Sequence, residues 1–461
     1  MNRQTFLEQL LRSSGVPEAA LSGVLETLQD PEMLGLLQAG ADEAALLEPG
    51  WPLEQLAGYW ARNGRVALTF DDITLEQDHS DVVSRSEPDT GVLLAPDLQL
   101  KGFLVTAPMP DVTWFDMARA MAKLGMLGCV HRIPMADWWI TPGMRREEAQ
   151  RRLASLTREE IELMVIRMTV EGFADFIQSG HTPDQVVMSI SHRTFLAGHA
   201  DRLWEVAERH GRMHVLIETA NGDSTMVTET TAALRKRFDD KVIIGGGNFT
   251  TGHAMVRAAE AGMNWGRMTI GPGRQCRTRR VAGVGVPAIT GIAQAAACLR
   301  AKGLLWRENG RGMAICQDGG TNALGDRVKG LCAGADISMA GTSMAICLES
   351  GAQHFEVDGK HFIHIRGNAS AEVVQSVRPE DWRKIAAEGG VTTTPVDPAN
   401  PVTAADYWFQ AKSALGSTCG YWGAHSIAEL RTKHRAWRVT SAGLSEGKDV
   451  AANGTSKVRH F

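Results

Sequence analysis

The sequence has no excess of basic residues and no long apolar run. Its 461 residues carry a formal net charge of −5 at pH 7, so we expect no broad basic surface that could hold a nucleic-acid backbone. The first residues, MNRQTFLEQLLRSSG, are amphipathic and include an acidic side chain, unlike a signal peptide or a membrane span. We therefore expect a cytoplasmic protein that binds neither nucleic acid nor a membrane.

Signatures of metal and dinucleotide binding are also missing. The seven cysteines are odd in number and include no CxxC pair, which disfavours a zinc site and predicts that most are reduced core thiols. No HExxH or GxxxxGK(S/T) motif occurs, and no GxGxxG follows a first strand. A dinucleotide would therefore have to bind outside a Rossmann or P-loop element.

The composition favours a large folded core. Apolar residues make up 44% of the chain and charged residues 22%, which is typical of globular proteins. Residues 1–62 contain amphipathic patterns broken by Gly-Pro clusters, and these predict an N-terminal helical extension. The remaining residues, 63–461, are predicted to form a single domain.

From Gly102 onward, short β-rich runs alternate with helical stretches. This is the pattern of a parallel sheet covered by helices, and eight runs predict a closed (β/α)8 TIM barrel. Several runs end in glycine-rich loops, which a barrel would bring to one face. The runs are Phe103–Thr106, Leu127–Val130, Val186–Ile190, His214–Glu218, Val242–Gly246, Trp265–Ile270, Met313–Asp318 and Ala335–Ala340.

Two segments interrupt the regular spacing. Charged helical sequence at about 132–185 predicts a helical insertion, which could be a lid or an interface. After the eighth run, a small hairpin is predicted to turn at Asp358-Gly359. The segment at about 371–402, which includes AAEGGVTTTPVDPANP, is predicted to be a mobile loop. A closing helix is expected at about 426–435.

The strongest chemical signal is IGPGRQCRTRRVAGVGVP at residues 270–287. It places Cys276 in a glycine-rich turn directly after a predicted strand, where Gly271 and Gly273 leave amides and carbonyls free to hold an ion. Nearby positive charge favours the thiolate, so the context favours a nucleophile over a packed core thiol. The cations are the arginines at 274, 277 and 279.

Two further loops indicate a nucleotide. CQDGGTNALGD at 316–326 and ISMAGTSMA at 337–345 follow the last two runs, where barrels commonly bind phosphate through backbone amides. The candidates are Gly319, Gly320, Gly341 and Thr342. Asp318, at a strand end, could bind ribose hydroxyls or could cap a turn.

With these motifs, residues 66–445 resemble the family of inosine-monophosphate dehydrogenases and guanosine-monophosphate reductases. The motifs are LTFDDITL at 68–75, TAPMPDVT at 106–113, GPGRQCRTR at 271–279, VAGVGVP at 281–287, QDGG at 317–320 and STCGYWGA at 417–424. The resemblance implies a TIM barrel oxidoreductase that assembles as a homotetramer or homo-octamer. It also implies that Cys276 attacks carbon 2 of a purine mononucleotide beside NADPH or NAD, with potassium as a further candidate ligand.

The resemblance favours the reductase branch. The segment after the second run is too short for the paired regulatory insertion of the dehydrogenases, and the loop at 371–402 lacks their water-activating Arg-Tyr pair. Thr278 and Glu388 match reductase residues that help ammonia leave. The sequence AlaAsnGlyAspSer at 220–224 resembles the reductase version of the loop after the fourth strand. TAPM and VTSAGLSEG, in contrast, resemble the dehydrogenases.

Several contact positions depart from the family pattern. Arg274 stands in place of a phosphate-binding serine, Arg277 in place of a threonine, Glu218 in place of an aspartate and Asn368 in place of a methionine beside the base. Three alternatives to the reductase therefore stay open: a dehydrogenase, a specialised paralogue for a modified purine nucleotide, and a non-catalytic nucleotide-binding protein.

The resemblance implies the following site. The catalytic residues are Cys276, Thr278 and Glu388. The substrate-binding residues are Asp318, Gly319, Gly320, Gly341, Thr342, Gly367, Asn368 and Arg274. The cofactor-binding residues are Ala107, Met109, Glu218, Ala220, Asn221, Gly222 and Asn248. A monovalent cation would lie at Gly271 and Gly273.

Overall fold

The computed structural model describes residues 66–134, 145–378 and 382–447. The predicted N-terminal extension, 1–62, lies outside these ranges and stays a prediction, as does the division into two domains. Within the described ranges, no helix is both long enough and apolar enough to cross a membrane.

Eight parallel strands close into a barrel, in which the eighth strand pairs with the first. The predicted TIM barrel is therefore confirmed. The strands differ from the predicted runs only at their ends. The barrel strands are Leu104–Thr106, Leu127–Val130, Val186–Ile190, Met213–Glu218, Val242–Phe249, Trp265–Met268, Ala314–Asp318 and Ile337–Ala340.

Helices surround the barrel and follow most of its strands. Their apolar faces cover the strands, as expected for amphipathic barrel helices. The α-helices are Phe115–Lys123, Arg146–Ala154, Arg158–Gln178, His192–Leu196, His199–Ala207, Thr225–Phe238, Gly252–Glu260, Thr278–Val281, Ala288–Ala301, Trp306–Asn309, Leu324–Cys332, Ala371–Val377, Ala404–Trp422, Ile427–Lys433 and Ser441–Glu446.

The segment predicted as a helical insertion contains a regular barrel helix. Arg158–Gln178 begins at a capping box formed by Thr157 and Glu160, and its Phe173 and Phe176 are fully buried in the main core. The shorter helix Arg146–Ala154 packs against the amino-terminal half of Arg158–Gln178 through a small separate cluster of apolar side chains. Both helices fall within the predicted range of 132–185, and its being an insertion stays a prediction.

A three-stranded antiparallel sheet stands after the eighth barrel strand. It consists of Gln353–Val357, Lys360–Arg366 and Val391–Pro395. The predicted turn has φ of 51° at Asp358 and 71° at Gly359, which suits a two-residue hairpin. The segment predicted as a loop at 371–402 thus contains a helix and a paired strand, so that prediction was wrong about its structure; its mobility stays a prediction.

Two short sheets complete the fold. Val92–Ala95 pairs with Leu98–Leu100, and Ile73–Leu75 pairs with Ala436–Arg438. The second pairing ties the beginning of the described chain to its end.

A tryptophan requires one of the glycines in the fifth barrel strand. Trp265 is fully buried, and a Cβ at Gly245 would lie 2.3 Å from its indole ring. The indole Nε1 donates to His214 Nε2 at 2.7 Å. Burial lowers the pKa of His214 to about 3, so the imidazole is a neutral acceptor inside the core.

Candidate functional site

A cavity of about 1210 Å³ opens at the carboxyl ends of the barrel strands. Its volume exceeds the range of about 300–1,000 Å³ that is typical of small-molecule sites. All predicted site residues line it except Asn221 and Gly222. The predicted residues that line the cavity are Cys276, Thr278, Glu388, Asp318, Gly319, Gly320, Gly341, Thr342, Gly367, Asn368, Arg274, Ala107, Met109, Glu218, Ala220, Asn248, Gly271 and Gly273.

The cysteine lies in a tight turn after the sixth strand. The Cys276 amide donates to the carbonyl of Gly273 at 2.8 Å, and its Sγ lies 3.4 Å from Thr278 Oγ1 in hydrogen-bonding geometry. The thiol is partly exposed toward the cavity. A nucleophile with an adjacent hydroxyl is therefore accessible to a ligand.

Backbone hydrogen bonds attach the segment Glu388–Gly390 to the turn that contains Cys276. The Arg277 amide donates to the carbonyl of Glu388 at 2.6 Å, and the Gly390 amide donates to the carbonyl of Gln275 at 2.7 Å. These bonds bring Glu388 to the same wall as Cys276, although more than a hundred residues separate them in the chain. Sequence spacing cannot reveal such a bridge.

Only one of the three arginines beside the cysteine lines the cavity. The stem of Arg279 packs over Gly271, where a Cβ would lie 2.3 Å from its Cγ and Cδ. Arg277 lies against Gly390. Arg274 is exposed and reaches the cavity. The side chains of Arg277 and Arg279 therefore pack on glycines, and their effect on the thiol stays a prediction.

Asp318 belongs to a polar cluster within the barrel mouth. Its Oδ2 accepts from Asn248 Nδ2 at 2.7 Å and from Arg267 Nε at 3.0 Å. Among the described residues, no donor reaches its Oδ1, which leaves that oxygen for a ligand hydroxyl. This arrangement is that of an oriented carboxylate rather than a helix cap.

Arg267 is a site residue that sequence reasoning missed. It is 7% exposed and lines the cavity floor. Burial alone would lower its pKa, but the charges of Asp318 and Glu218 outweigh burial and raise it. An arginine inside an apolar barrel strand was the available signal, since a buried charge needs a partner.

A second ion pair lies on the side of the fourth strand. Arg132 Nη2 lies 2.9 Å from Glu218 Oε2. Asn368 Nδ2 donates to the carbonyl of Pro108 at 2.8 Å and to Glu218 Oε1 at 3.4 Å. These bonds fix the amide of Asn368, whose Oδ1 is buried without a partner in the described chain. Arg132 was also missed, although its charge directly after the second strand was a signal.

Asn221 and Gly222 have local structural contacts instead of lining the cavity. Asn221 Oδ1 accepts from the Asp223 amide at 3.1 Å. The Gly222 amide donates to the carbonyl of Asn248 at 2.8 Å, and a Cβ at Gly222 would lie 2.8 Å from that oxygen. Gly222 therefore supports Asn248 from outside the cavity, and a cofactor contact at either residue stays a prediction.

The loops after the sixth and seventh strands touch each other. Gly319 has φ of +83°, and a Cβ there would lie 2.8 Å from the backbone of Gly273. Below the next loop, Arg327 is buried and donates to Ser338 Oγ at 2.8 Å and to Ser343 Oγ at 3.1 Å. Ser343 lines the cavity, so Arg327 supports the wall beside Thr342.

The described ranges contain no group of three or more His, Cys, Asp or Glu side chains placed to hold a metal ion. A cation at Gly271 and Gly273 would need backbone carbonyls, and the carbonyl of Gly273 already accepts from the Cys276 amide. The predicted potassium site therefore stays a prediction.

Comparisons with known proteins find similar sequences. The chain matches the model of the IMP dehydrogenase / GMP reductase domain over residues 67–141 and 185–449. The unmatched interval includes the helices Arg146–Ala154 and Arg158–Gln178.

Individual relatives are similar at modest identity. The inosine-5'-monophosphate dehydrogenase of Borreliella burgdorferi is 26% identical over 408 residues, which cover 82% of this chain and 96% of the relative. The GMP reductase of Vibrio parahaemolyticus is 27% identical over 380 residues, covering 81% and 94%. The inosine-5'-monophosphate dehydrogenase of Bacillus subtilis is 34% identical over 237 residues, covering 50% and 46%.

Proposed function

Because the chain belongs to the IMP dehydrogenase / GMP reductase family and is thus an NAD(P)-dependent oxidoreductase, we propose that it reduces a guanine-type nucleotide and releases ammonia. The product would be an inosine-type nucleotide. The observation that supports this direction is the common wall formed by Cys276, Thr278 and Glu388. A thiol, a hydroxyl and a carboxyl group suffice for addition to carbon 2 and for proton transfer to a leaving amine.

The substrate would lie between the cysteine turn and the last two barrel loops. Asp318 would accept a hydrogen bond from a ribose hydroxyl through its Oδ1. Amides of Gly341 and Thr342, with the guanidinium of Arg274, would bind the phosphate. Arg132 and Arg267 also line the cavity, but Glu218 and Asp318 neutralise them. Arg274 is thus the lining arginine best placed to meet an anion among the described residues.

The first half of the reaction uses this chain's own groups. The Sγ of Cys276 bonds to carbon 2, and the carbon–nitrogen bond to the exocyclic amine breaks. Thr278 and Glu388 transfer the proton that lets the amine leave as ammonia. In the second half, carbon 2 gains hydrogen, the carbon–sulfur bond breaks, and Cys276 regains the thiolate.

The cavity has room for a nicotinamide beside the nucleotide. Ala107, Met109, Glu218, Ala220 and Asn248 would hold it, and all five line the same cavity. The chemical fit rests on a buried hydroxyl without a partner in the described chain, the Oγ1 of Thr269, which lines the cavity beside Asn248 and which a carboxamide could satisfy. When bound, the reduced nicotinamide supplies hydride to carbon 2. NADPH is the proposed cofactor.

Two observations support other substrates. The similarity to the dehydrogenase of Borreliella burgdorferi extends over 96% of that protein, which supports NAD-dependent oxidation of inosine monophosphate as the second candidate. Arg274 and Asn368 alter the two ends of the substrate site, which supports a modified purine nucleotide. Assembly as a homotetramer or homo-octamer and a cytoplasmic location stay predictions.

One assay separates these functions. Nicotinamide absorbance is followed with NADPH and guanosine monophosphate, and separately with NAD and inosine monophosphate, with a Cys276→Ala variant as control. Cysteine-dependent NADPH oxidation with equal release of ammonia would support the reductase. NADH formation from inosine monophosphate would instead establish the dehydrogenase. If both mixtures are silent, the proposed substrates are wrong, and purine nucleotides are then screened by thermal shift.

A further inference from the structure

A buried carboxylate outside the cavity lining holds the residue that precedes the Gly367–Asn368 turn. Asp111, in the loop after the first barrel strand, is 0% exposed. Its Oδ2 accepts from the Arg366 amide at 2.6 Å and from Arg366 Nε at 2.9 Å. Its Oδ1 accepts from Arg366 Nη2. Three charge-assisted bonds from one residue to one carboxylate define both the position and the orientation of that residue.

The turn that follows Arg366 lies between two walls of the cavity. The Gly367 amide donates to the carbonyl of Gly390 at 2.9 Å, and a Cβ at Gly367 would lie 3.1 Å from Gln275. On the other side, Asn368 Nδ2 donates to the carbonyl of Pro108 at 2.8 Å. The turn is therefore in contact with the residue next to Cys276 and with the first barrel loop.

The antiparallel sheet that carries this turn is only partly buried. Along Lys360–Arg366, the pattern of exposure alternates, and only Ile363 and Ile365 are buried. Arg366 is the last residue of that strand. The ion pair with Asp111 is therefore one of the contacts that connect the end of the sheet to the barrel.

We propose that Asp111 is a positioning residue: through Arg366, it holds the Gly367–Asn368 turn where the turn contacts the base of the bound nucleotide. The inference rests on the proposed nucleotide function but concerns a residue that does not itself line the cavity. Without the charge of Asp111, the Arg366 side chain, which is 13% exposed, loses its ion pair with that carboxylate. The turn then has alternative positions, and binding must select the competent one.

The test compares Asp111→Asn with a matched variant at the opposite end of the barrel. Asp336 is 2% exposed, accepts from the Ile315 amide at 2.8 Å and pairs with Arg307 at 3.2 Å. Asp336 also lies 3.4 Å from Arg431, so Asp336→Asn removes a buried carboxylate charge from two arginines. It does so at the amino end of a barrel strand, where the residues serve stability.

Affinity for guanosine monophosphate is measured by calorimetry in the Cys276→Ala background. We expect Asp111→Asn to raise Kd about tenfold or more, the change expected when one well-formed contact of about 1.4 kcal/mol is lost. Asp336→Asn should change Kd less than about twofold even if both variants lower Tm to a similar extent. In the enzyme that retains Cys276, Asp111→Asn should raise KM for the nucleotide and change kcat by less than about threefold.

Alkylation of Cys276 by iodoacetamide in the nucleotide-free protein is the second measurement. Its rate should rise in Asp111→Asn and stay unchanged in Asp336→Asn, because the Gly367–Asn368 turn contacts Gln275, the residue next to Cys276. If Asp111→Asn does not fold, Arg366→Lys replaces it. This variant keeps the backbone bond and the charge but loses the guanidinium fork, and it should raise Kd to an intermediate value.

Unchanged Kd in the folded variants would overturn the proposal, as would an equal loss of affinity in Asp336→Asn. A parent protein that binds no guanosine or inosine monophosphate would refute the proposed function, and the inference would fall with it. That outcome differs from failure of the inference alone, in which the parent binds and Asp111→Asn binds equally well.

Discussion

Arg267 contacts a single oxygen of Asp318 in two ways: its Nε donates a hydrogen bond at 3.0 Å, and its Nη2 lies 2.8 Å away in an ion pair. The guanidinium is buried in the barrel mouth, whereas the carboxylate is partly open to the cavity. One carboxylate oxygen is thus engaged by the protein and the other is presented to a ligand. The ion pair lies under the proposed ribose position and orients the group that would bind there.

Replacement of Arg267 should therefore weaken binding through the ribose. Arg267→Gln keeps a donor but removes the counterion, so Asp318 loses both its charge balance and its orientation. We expect Kd for guanosine monophosphate to rise about tenfold or more, and Kd for the 2'-deoxy form to rise less. The comparison is made by calorimetry on the Cys276→Ala background. Equal losses for both nucleotides would show that the pair serves the fold and not the ribose.

Loss of the thiol should abolish turnover but not binding. Cys276→Ala removes the attacking atom, and the rate should fall by at least about three orders of magnitude. The Kd for the nucleotide should stay within about threefold because no phosphate or ribose contact is lost. Cys298→Ala is the control, since Cys298 lies in the helix Ala288–Ala301. Substantial turnover by Cys276→Ala would show that another group is the nucleophile.

Arg274 should recognise the phosphate. Arg274→Ser removes a cation from the cavity, so affinity for the nucleotide should decrease about threefold to thirtyfold. Affinity for the nucleoside, which has no phosphate, should not change. Arg280→Ser is the control because Arg280 is exposed in the same segment and does not line the cavity. A similar effect on nucleoside and nucleotide would contradict a phosphate contact.

Acid should destabilise the protein partly through His214. Burial lowers the pKa of His214 in the folded protein to about 3 from a usual value of 6.5. Between pH 3 and pH 6.5, this histidine is therefore protonated in the unfolded chain but neutral in the folded one. Stability from this group is complete above about pH 6.5 and falls as pH drops toward 3, by up to about 1.4 kcal/mol per pH unit.

The pH effect is measured by urea unfolding at pH 5, 6 and 7. His214→Gln can still accept a bond from Trp265 but cannot be protonated, so the free energy of unfolding should depend less steeply on pH. His210→Gln, at an exposed position, controls for the loss of a histidine as such. Identical slopes in the His214 variant and the parent would contradict a buried neutral imidazole.

Gly222→Ala should reduce stability before it affects cofactor binding. The added Cβ would lie 2.8 Å from the carbonyl of Asn248, so the loop must shift at a cost of about 1–3 kcal/mol. Gly325→Ala is the matched control, because nothing lies within 4 Å of that Cβ and alanine favours a helix. If Gly222→Ala keeps its Tm but loses affinity for NADPH, the residue contacts the cofactor directly.

Local patterns were sufficient for the barrel. Each barrel strand is a short apolar run, and runs such as Val186–Ile190 are buried along their whole length. Such runs, alternating with helical stretches, are enough to predict a parallel sheet that is covered on both faces. The prediction of a loop at 371–402 was wrong because the strand in it, Val391–Pro395, is rich in threonine and half exposed. It therefore lacks the apolar pattern that marks the barrel strands. Such a strand exists through pairing with a distant hairpin, and no local pattern encodes that partner.

The sequence by itself determined the order of the barrel strands and the position of Cys276 in a glycine-rich turn, since both depend on residues that are neighbours in the chain. Only the tertiary structure decided that Arg267 and Asn248 orient Asp318, that Arg277 and Arg279 lie away from the cavity, and that Asp111 holds Arg366. These contacts join segments far apart in sequence. Their geometry follows from barrel closure, which places the ends of all eight strands around one cavity.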